Sequence, residues 1–378
     1  MSLPLSGAIS MSQIDDALSQ TTTQQISLND SNARTLSGVL SNKIAFSDFY
    51  GKTMNLTNEN GWFAGGLAYS TGPLSVIERI IYANDTNSAV VKGSLSTPES
   101  NQNCAFNITN VWVSGHLNFN KITYSSDTSI AISLPIVQLL DGRTASTDFL
   151  AYGWFAGGSI GLYSLPNYPG EYLVTGNSVS SISKLSFALD SILPLSNSTL
   201  SLSRSCSAGV SILTQAWFAG GHNLSPVSGN IYSTIDSITY STDNIVANSR
   251  GSLIQSISMM SVVGNSTNGW FSGSDFVRPT TQTTYKNSTI QKITFSTDSL
   301  SAIARGTLDV CRYGMGGSSN NTSDGWFVGG MTYQAFGYYS GSWVMSGVNV
   351  FVTSNVSRLT FATDTMQLIQ KGRLNVGR

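Results

Sequence analysis

The sequence predicts an all-β protein, a six-bladed β-propeller preceded by a small module of different character. Three observations predict it. A Gly-Trp-Phe-x-Gly motif occurs at Trp62, Trp154, Trp270 and Trp326, with Ala in the first place at Trp217 and in the form Val-Trp-Val-Ser-Gly at Trp112. A second motif, Ser-x-Ile-x-x-Ile-Thr-Tyr-Ser-x-Asp at its clearest, alternates strictly with the first and ends at Asp85, Asp127, Asp190, Asp243, Asp298 and Asp364. The third observation is the spacing. From each motif Asp to the next Trp there are 27, 27, 27, 27 and 28 residues, whereas from each Trp to the next Asp there are 23, 15, 36, 26, 28 and 38. Self-similarity at such a period marks repeated supersecondary units. Fixed lengths belong to strands held in register, and variable lengths to surface loops. All the variable loops fall at one point of the unit, so they are expected on one face.

Composition narrows the function classes. Charged residues make up 10% of the chain and the net charge is −1, so there is no electrostatic footprint for nucleic acid or an anionic membrane. No apolar run approaches ~18 residues, and no membrane insertion is expected. The start of the chain lacks a basic stretch followed by an apolar one, so no secretory signal is read. Cys104, Cys206 and Cys311 are far apart, and His116 and His222 are the only histidines. That set has no metal-ligand spacing, and neither a metal nor another cofactor is expected. The Asn-x-Ser/Thr triplets at Asn55, Asn107, Asn197, Asn223, Asn265, Asn287 and Asn355 are read as a product of composition.

Residues 1–48 stand outside the repeat and form the first expected domain. They carry a triple pattern of their own: Ala8 to Gln13, Gln25 to Asp30 and Lys43 to Asp48. Ser12 with Asp15, and Ser27 with Asp30, resemble capping boxes, followed by Ile14 and Leu18 and by Ala33 and Leu36 at helical spacing. So short a segment needs a partner surface. The blocks Leu3 to Ile14, Ile26 to Asp30 and Ser47 to Lys52 resemble the N-terminal module of tailed-bacteriophage virion proteins of the tail and baseplate, including those of cyanophages. The resemblance implies location in the virion, on the phage tail, and partners among other tail or baseplate proteins. Ile9, Ile14, Ile26, Leu28, Phe46, Phe49 and Tyr50 are the expected attachment residues. It also implies a homo-oligomer, trimers being common among phage fibres.

Residues 49–378 form the second expected domain, and each unit reads as four strands. Trp-Phe-Ala is a short strand ended by paired glycines, where φ is positive or another backbone comes close. Ile235, Ile238 and Tyr240 mark a second strand, closed by the turn at Ser241 to Asp243. A third lies around Arg250 to Leu253, matched by Lys92 to Leu95, Arg305 to Leu308 and Lys371 to Leu374, and a fourth precedes the next Trp. Four strands per ~50 residues is a propeller blade. The order of Trp-Phe-x-Gly-Gly, Ile-x-x-Ile-x-Tyr and Asp resembles the kelch repeat, although the Trp that follows the Asp-bearing turn in kelch is missing. The fold is carried over from that resemblance, and no oxidase activity is, since copper ligands are absent from the pattern. Closure follows from counting: 14 residues follow Asp364 and 27 are needed, and the missing 13 count back from Trp62 to Phe49. Arg378 is therefore expected near Phe49, with N- and C-terminal strands sharing a blade and no free sheet edge.

The variable loops are the functional candidates. The longest hold Tyr163, Tyr168 and Tyr172, then Tyr285, then Tyr333, Phe336, Tyr338, Tyr339 and Trp343. Such side chains give rigid amphipathic contact area suited to receptor or glycan binding. Packing of loop on loop is the competing reading. The repeated Trp is expected to be inter-blade core, and the motif Asp to cap its turn. Six equivalent aspartates are not a catalytic pair, and no spacing selects two carboxylates from Glu78, Glu99, Glu171, Asp275 and Asp141. The sequence thus points to a non-enzymatic tail-fibre or baseplate protein whose propeller displays loops for host adhesion through a surface polysaccharide. A polysaccharide depolymerase and a purely structural virion module are the alternatives.

Overall fold

The computed structural model describes residues 59–378, except 69–71, 86, 101, 108, 115–118, 127, 133–143, 148–150, 160–162, 165–171, 174–176, 194, 196–197, 224–229, 241–245, 278–283, 299–300 and 335–348, together with Ile14, Lys43 and Ala45. The chain divides into two units, Met1–Thr57 and Asn58–Arg378. The second unit is a six-bladed β-propeller, built from six four-stranded antiparallel sheets.

Blade four shows the plan. Its strands are Ala208–Ser211, Gln215–Ala219, Thr234–Thr239 and Asn248–Ser252, paired in that order from the axis outward. Blades two, three, five and six repeat it, with innermost strands Asn103–Phe106, Thr144–Thr147, Ser261–Gly264 and Gly316–Ser319. In blade one the described strands are Asn60–Ala64, Gly72–Ile81, Val90–Glu99 and the short Leu67–Ala68.

The Ile-x-x-Ile spacing of the third strand has a direct cause. Successive side chains on a strand point to opposite faces, so residues three apart serve both. Ile235 packs with Trp217, Ala219 and Phe271 toward blade five, while Ile238 packs with Trp154, Ala216 and Phe218 toward blade three. The Trp-Phe pair divides in the same way, Trp forward and Phe back. A blade covered on both sides needs apolar residues in both phases, which is why strict alternation fails as a guide here.

The glycine pair ends the second strand for two reasons. Gly220 and Gly221 sit at φ 61° and 93°, where a side chain is strained. A Cβ on Gly220 would also strike the Ile257 carbonyl. That carbonyl accepts the Gly221 N–H at 2.8 Å, drawing the exit segment of the blade under its own second strand. The same bond recurs as Gly66 to Glu99, Gly158 to Arg204 and Gly330 to Arg378.

The C-terminal strand Thr365–Arg373 pairs inside blade six, and the residues after it make the closing contact with blade one. Arg378 donates to the Phe63 carbonyl at 3.0 Å and packs against Gly66. Counting placed Arg378 near Phe49; the described contacts of Arg378 are with Phe63, Gly66 and Glu78, and the terminal strand itself pairs in blade six. Phe49 lies outside the described residues.

Candidate functional site

Two sets of residues are set apart by the fold: a latch whose aromatic stack recurs at each blade interface, and a set of ribbons at one end of the ring. The latch accounts for the sequence motifs. Each repeated Trp stacks on the aromatic residue three positions before the motif Asp of the next blade. The pairs are Trp62–Tyr124, Trp112–Phe187, Trp154–Tyr240, Trp217–Phe295, Trp270–Phe361 and Trp326–Tyr82, with ring centroids 3.9–4.3 Å apart. The indole N–H then donates to that blade's Asp: Trp112 to Asp190 at 2.7 Å, Trp217 to Asp298 at 2.7 Å, Trp270 to Asp364 at 3.1 Å and Trp326 to Asp85 at 2.9 Å. A cation from the Trp-bearing blade completes the group. Lys121 reaches Asp190, Lys292 and Arg305 reach Asp364, and Arg358 reaches Asp85. In blade four Ser237 takes the lysine position, and Arg250 from the outermost strand pairs with Asp298 instead.

The motif aspartate was expected to cap its own turn; its carboxylate instead binds the preceding blade. A turn places the residue, but the indole and ammonium donors satisfy its charge. Asp127 and Asp243 lie outside the described residues.

Sequence reasoning missed a second polar ring. The residue after the first apolar position of the repeated motif on each third strand (Ile77, Phe119, Ile182, Ile235, Ile290 or Val356) is Glu78, Asn120, Ser183, Asp236, Gln291 or Ser357, and all but Ser183 are fully or almost fully buried. Five of these side chains meet the exit segment of the preceding blade. Asn120 accepts from Ser96 N–H, Asp236 from Ser201 N–H, Gln291 from Ile254 N–H and Glu78 from Asn375 N–H, at 2.6–3.0 Å. Ser357 donates to Asp309 at the same register. Three exit segments add a buried arginine: Arg204 to Asp236, Arg312 to Ser357 and Arg378 to Glu78. Burial lowers the pKa of all three guanidiniums, against the partial offset of Asp236, Asp309 and Glu78. A polar residue at one fixed position of the third strand was the only signal available, and its identity changes from blade to blade.

The opposite end of the blades is made of short turns. Asn107 accepts from the Thr109 N–H and hydroxyl and from the Asn110 N–H, and Asn265 does the same with Thr267 and Asn268. These Asn-x-Thr triplets are side-chain turns between the first two strands. Composition alone does not explain them.

The variable segments rise as two-stranded ribbons between the second and third strands. They are Leu67–Ala68 with the start of Gly72–Ile81, Tyr163–Ser164 with Tyr172–Leu173, and His222–Asn223 with Asn230–Ile231. Ser274–Val277 pairs with Thr284–Asn287, and Met331–Gln334 with Asn349–Val352. All five begin at a glycine that ends a second strand, so they leave the same end of the ring. Tyr163, Tyr172, Tyr285 and Tyr333 stand on ribbon strands, opposite Leu173, Ser164, Phe276 and Val350. Tyr168, Tyr338, Tyr339 and Trp343 lie outside the described residues, as do Ile9, Ile26, Leu28, Phe46, Phe49 and Tyr50 of the N-terminal module; Ile14 is buried.

At the base of the ribbon of blade four His222 is fully buried, and its backbone pairs with Ser205 in both directions at 2.9 and 3.0 Å. Burial pushes its pKa down to about 4, so the imidazole is neutral at physiological pH. Glu78 and Glu99 are buried, the first held by Asn375 and Arg378 and the second accepting from Thr97. The five described innermost strands carry no Asp or Glu. Among the described residues no three His, Cys, Asp or Glu side chains cluster, and no helix is long and apolar enough to cross a membrane.

No protein-family model and no curated protein matches the sequence. Among solved structures the chain is similar to one described as "Structure of YjhT", with a TM-score of 0.58 and 10% sequence identity. The match covers 82% of this chain and 94% of that one. At that identity the likeness shows the propeller fold alone.

Proposed function

We propose that the chain is a structural protein of a phage tail, fibre or baseplate-associated, whose ribbon end recognises a host-surface glycan. The observation that carries this reading is the concentration of tyrosine-bearing ribbons at one end of the ring. Among the described turns at the opposite end, those at Asn107 and Asn265 are held by their own asparagines. Attachment through residues 1–48 rests on the sequence resemblance to phage virion modules. Tyrosines on ribbons offer flat amphipathic faces with a hydroxyl at the edge, the chemistry that stacks on sugar rings and bonds to their hydroxyls. The reading is non-enzymatic: Glu78 and Glu99 are committed inside the ring, and the described inner strands offer no acid pair for glycoside hydrolysis.

The test is binding of the full chain to host cells, with purified surface polysaccharide as competitor. The expected result is binding that the polysaccharide removes and that is lost in the Tyr338→Ala, Tyr339→Ala, Trp343→Ala triple variant. A folded chain that binds no cells, even as a multimer, would leave a purely structural role in the particle. Release of new reducing ends from the polysaccharide would convert the assignment to a depolymerase.

A further inference from the structure

Five of the six blade interfaces are crossed by the chain itself. It runs from the outermost strand of one blade to the innermost strand of the next through 99–103, 132–144, 193–208, 252–261 and 307–316. Blade six has no such passage to blade one, because one comes last in the sequence and the other first. Among the described residues that seam is held by contacts alone. Tyr82 stacks on Trp326 and its hydroxyl meets Ser318; Trp326 and Arg358 bind Asp85. Asn375 gives Glu78 both its backbone N–H and its Nδ2, each at 2.7 Å, and Arg378 lies 3.0 Å from the same carboxylate.

We infer that this seam is a clasp: the ring opens reversibly between blades six and one, and Glu78 is the residue that holds it shut. In a ring of repeats each blade touches only its neighbours, so an interface opens at the cost of its own contacts. Where the chain crosses, a short linker keeps the parted faces at high effective concentration and recloses them. At the seam nothing does. The carboxylate of Glu78 is completely buried, and the 374–378 tail supplies the donors Asn375 and Arg378. Parting the tail from Glu78 therefore leaves a bare charge that only water can satisfy, and release of the tail and entry of water are one event. The interface between blades three and four carries the same kind of pair, Arg204 with Asp236, also fully buried, but there the chain crosses. It serves as an internal control.

Hydrogen exchange on the full chain reads the inference directly, because the interfaces carry register-equivalent amides. At the seam Ala89 N–H bonds the Arg373 carbonyl and Gly372 N–H bonds that of Asp85. Between blades four and five Ala302 bonds Ser252 and Gly251 bonds Asp298, and between three and four Ala247 bonds Thr199. Ala89 and Gly372 are expected to exchange about tenfold or more faster than Ala302, Gly251 and Ala247. Glu78→Gln is expected to widen that ratio, while Asp236→Asn leaves Ala247 slower than Ala89. If Glu78→Gln does not fold, Asn375→Ala removes one of the same bonds and reads the same ratio. Equal exchange at Ala89 and Ala302 in the unaltered chain would overturn the clasp, as would a seam variant that speeds Ala302 as much as Ala89.

Discussion

The two ends of the ring are built on opposite principles. At the turn end every connection is short, and Trp, Asp and Lys or Arg recur in fixed register to bind blade to blade. At the ribbon end the connections differ in length and sequence, and the neighbouring blade holds only the first residue of a ribbon, as Ser205 holds His222 and Tyr313 holds Met331. The glycine pair is the border between the two regimes. Before it a residue answers to two neighbouring blades; after it, the segments differ from blade to blade in length and sequence. Stability and recognition are thereby placed in different halves of one repeat.

Substitutions that treat the two halves alike would break this contrast. The largest effect is expected at the latch. Trp217→Ala removes a fully buried ring, its stack on Phe295 and its bond to Asp298, and should lower unfolding free energy by about 4 kcal/mol in denaturant titration. Arg204→Met leaves Asp236 buried without its cation and should cost about 3 kcal/mol by the same measurement.

Acid sharpens the comparison from the ribbon side. The folded pKa of His222, about 4, lies below its ordinary 6.5, so the unfolded chain binds the proton first. Its contribution falls as pH drops from 6.5 through 4, and below that the penalty is complete, on the order of 3 kcal/mol. His222→Gln is expected to flatten this part of the stability–pH curve relative to the unaltered chain and to leave stability above pH 7 nearly unchanged.

Smaller effects follow at the surface. Lys121→Met breaks a half-exposed pair with Asp190, and after solvent screening the loss should stay below about 1 kcal/mol. Replacing Asp275 to Lys286 by a two-residue Asn-Gly turn should shift stability by no more than about 0.5 kcal/mol, since the strands before and after it keep their latch. A loss as large as that of Trp217→Ala would show that ribbons carry the ring.

Much of the fold was legible because a repeat forces the same residues to the same places. Trp62 and its five copies, the aromatic residue before each Asp, and the glycine pairs could be found by spacing alone. The turn asparagines were visible but misread, because Asn-x-Thr is also what this composition yields without a cause. Glu78, Asn120, Asp236 and Gln291 were not legible as a set, having in common only a position. Of the candidate site, the existence of ribbons could be read from loop length and alternation, as at Phe351 opposite Thr332.

By itself, then, the amino-acid order determined the number of blades, their register and the side from which the ribbons leave, because periodic spacing is a property of the chain. Which blade each side chain serves was decided only in three dimensions. An aspartate at the end of a turn and a tryptophan 78 or 81 residues earlier are unrelated along the chain, as with Trp112 and Asp190 or Trp217 and Asp298. They become partners because curling the sheets into a ring sets the forward face of one blade against the back of the next.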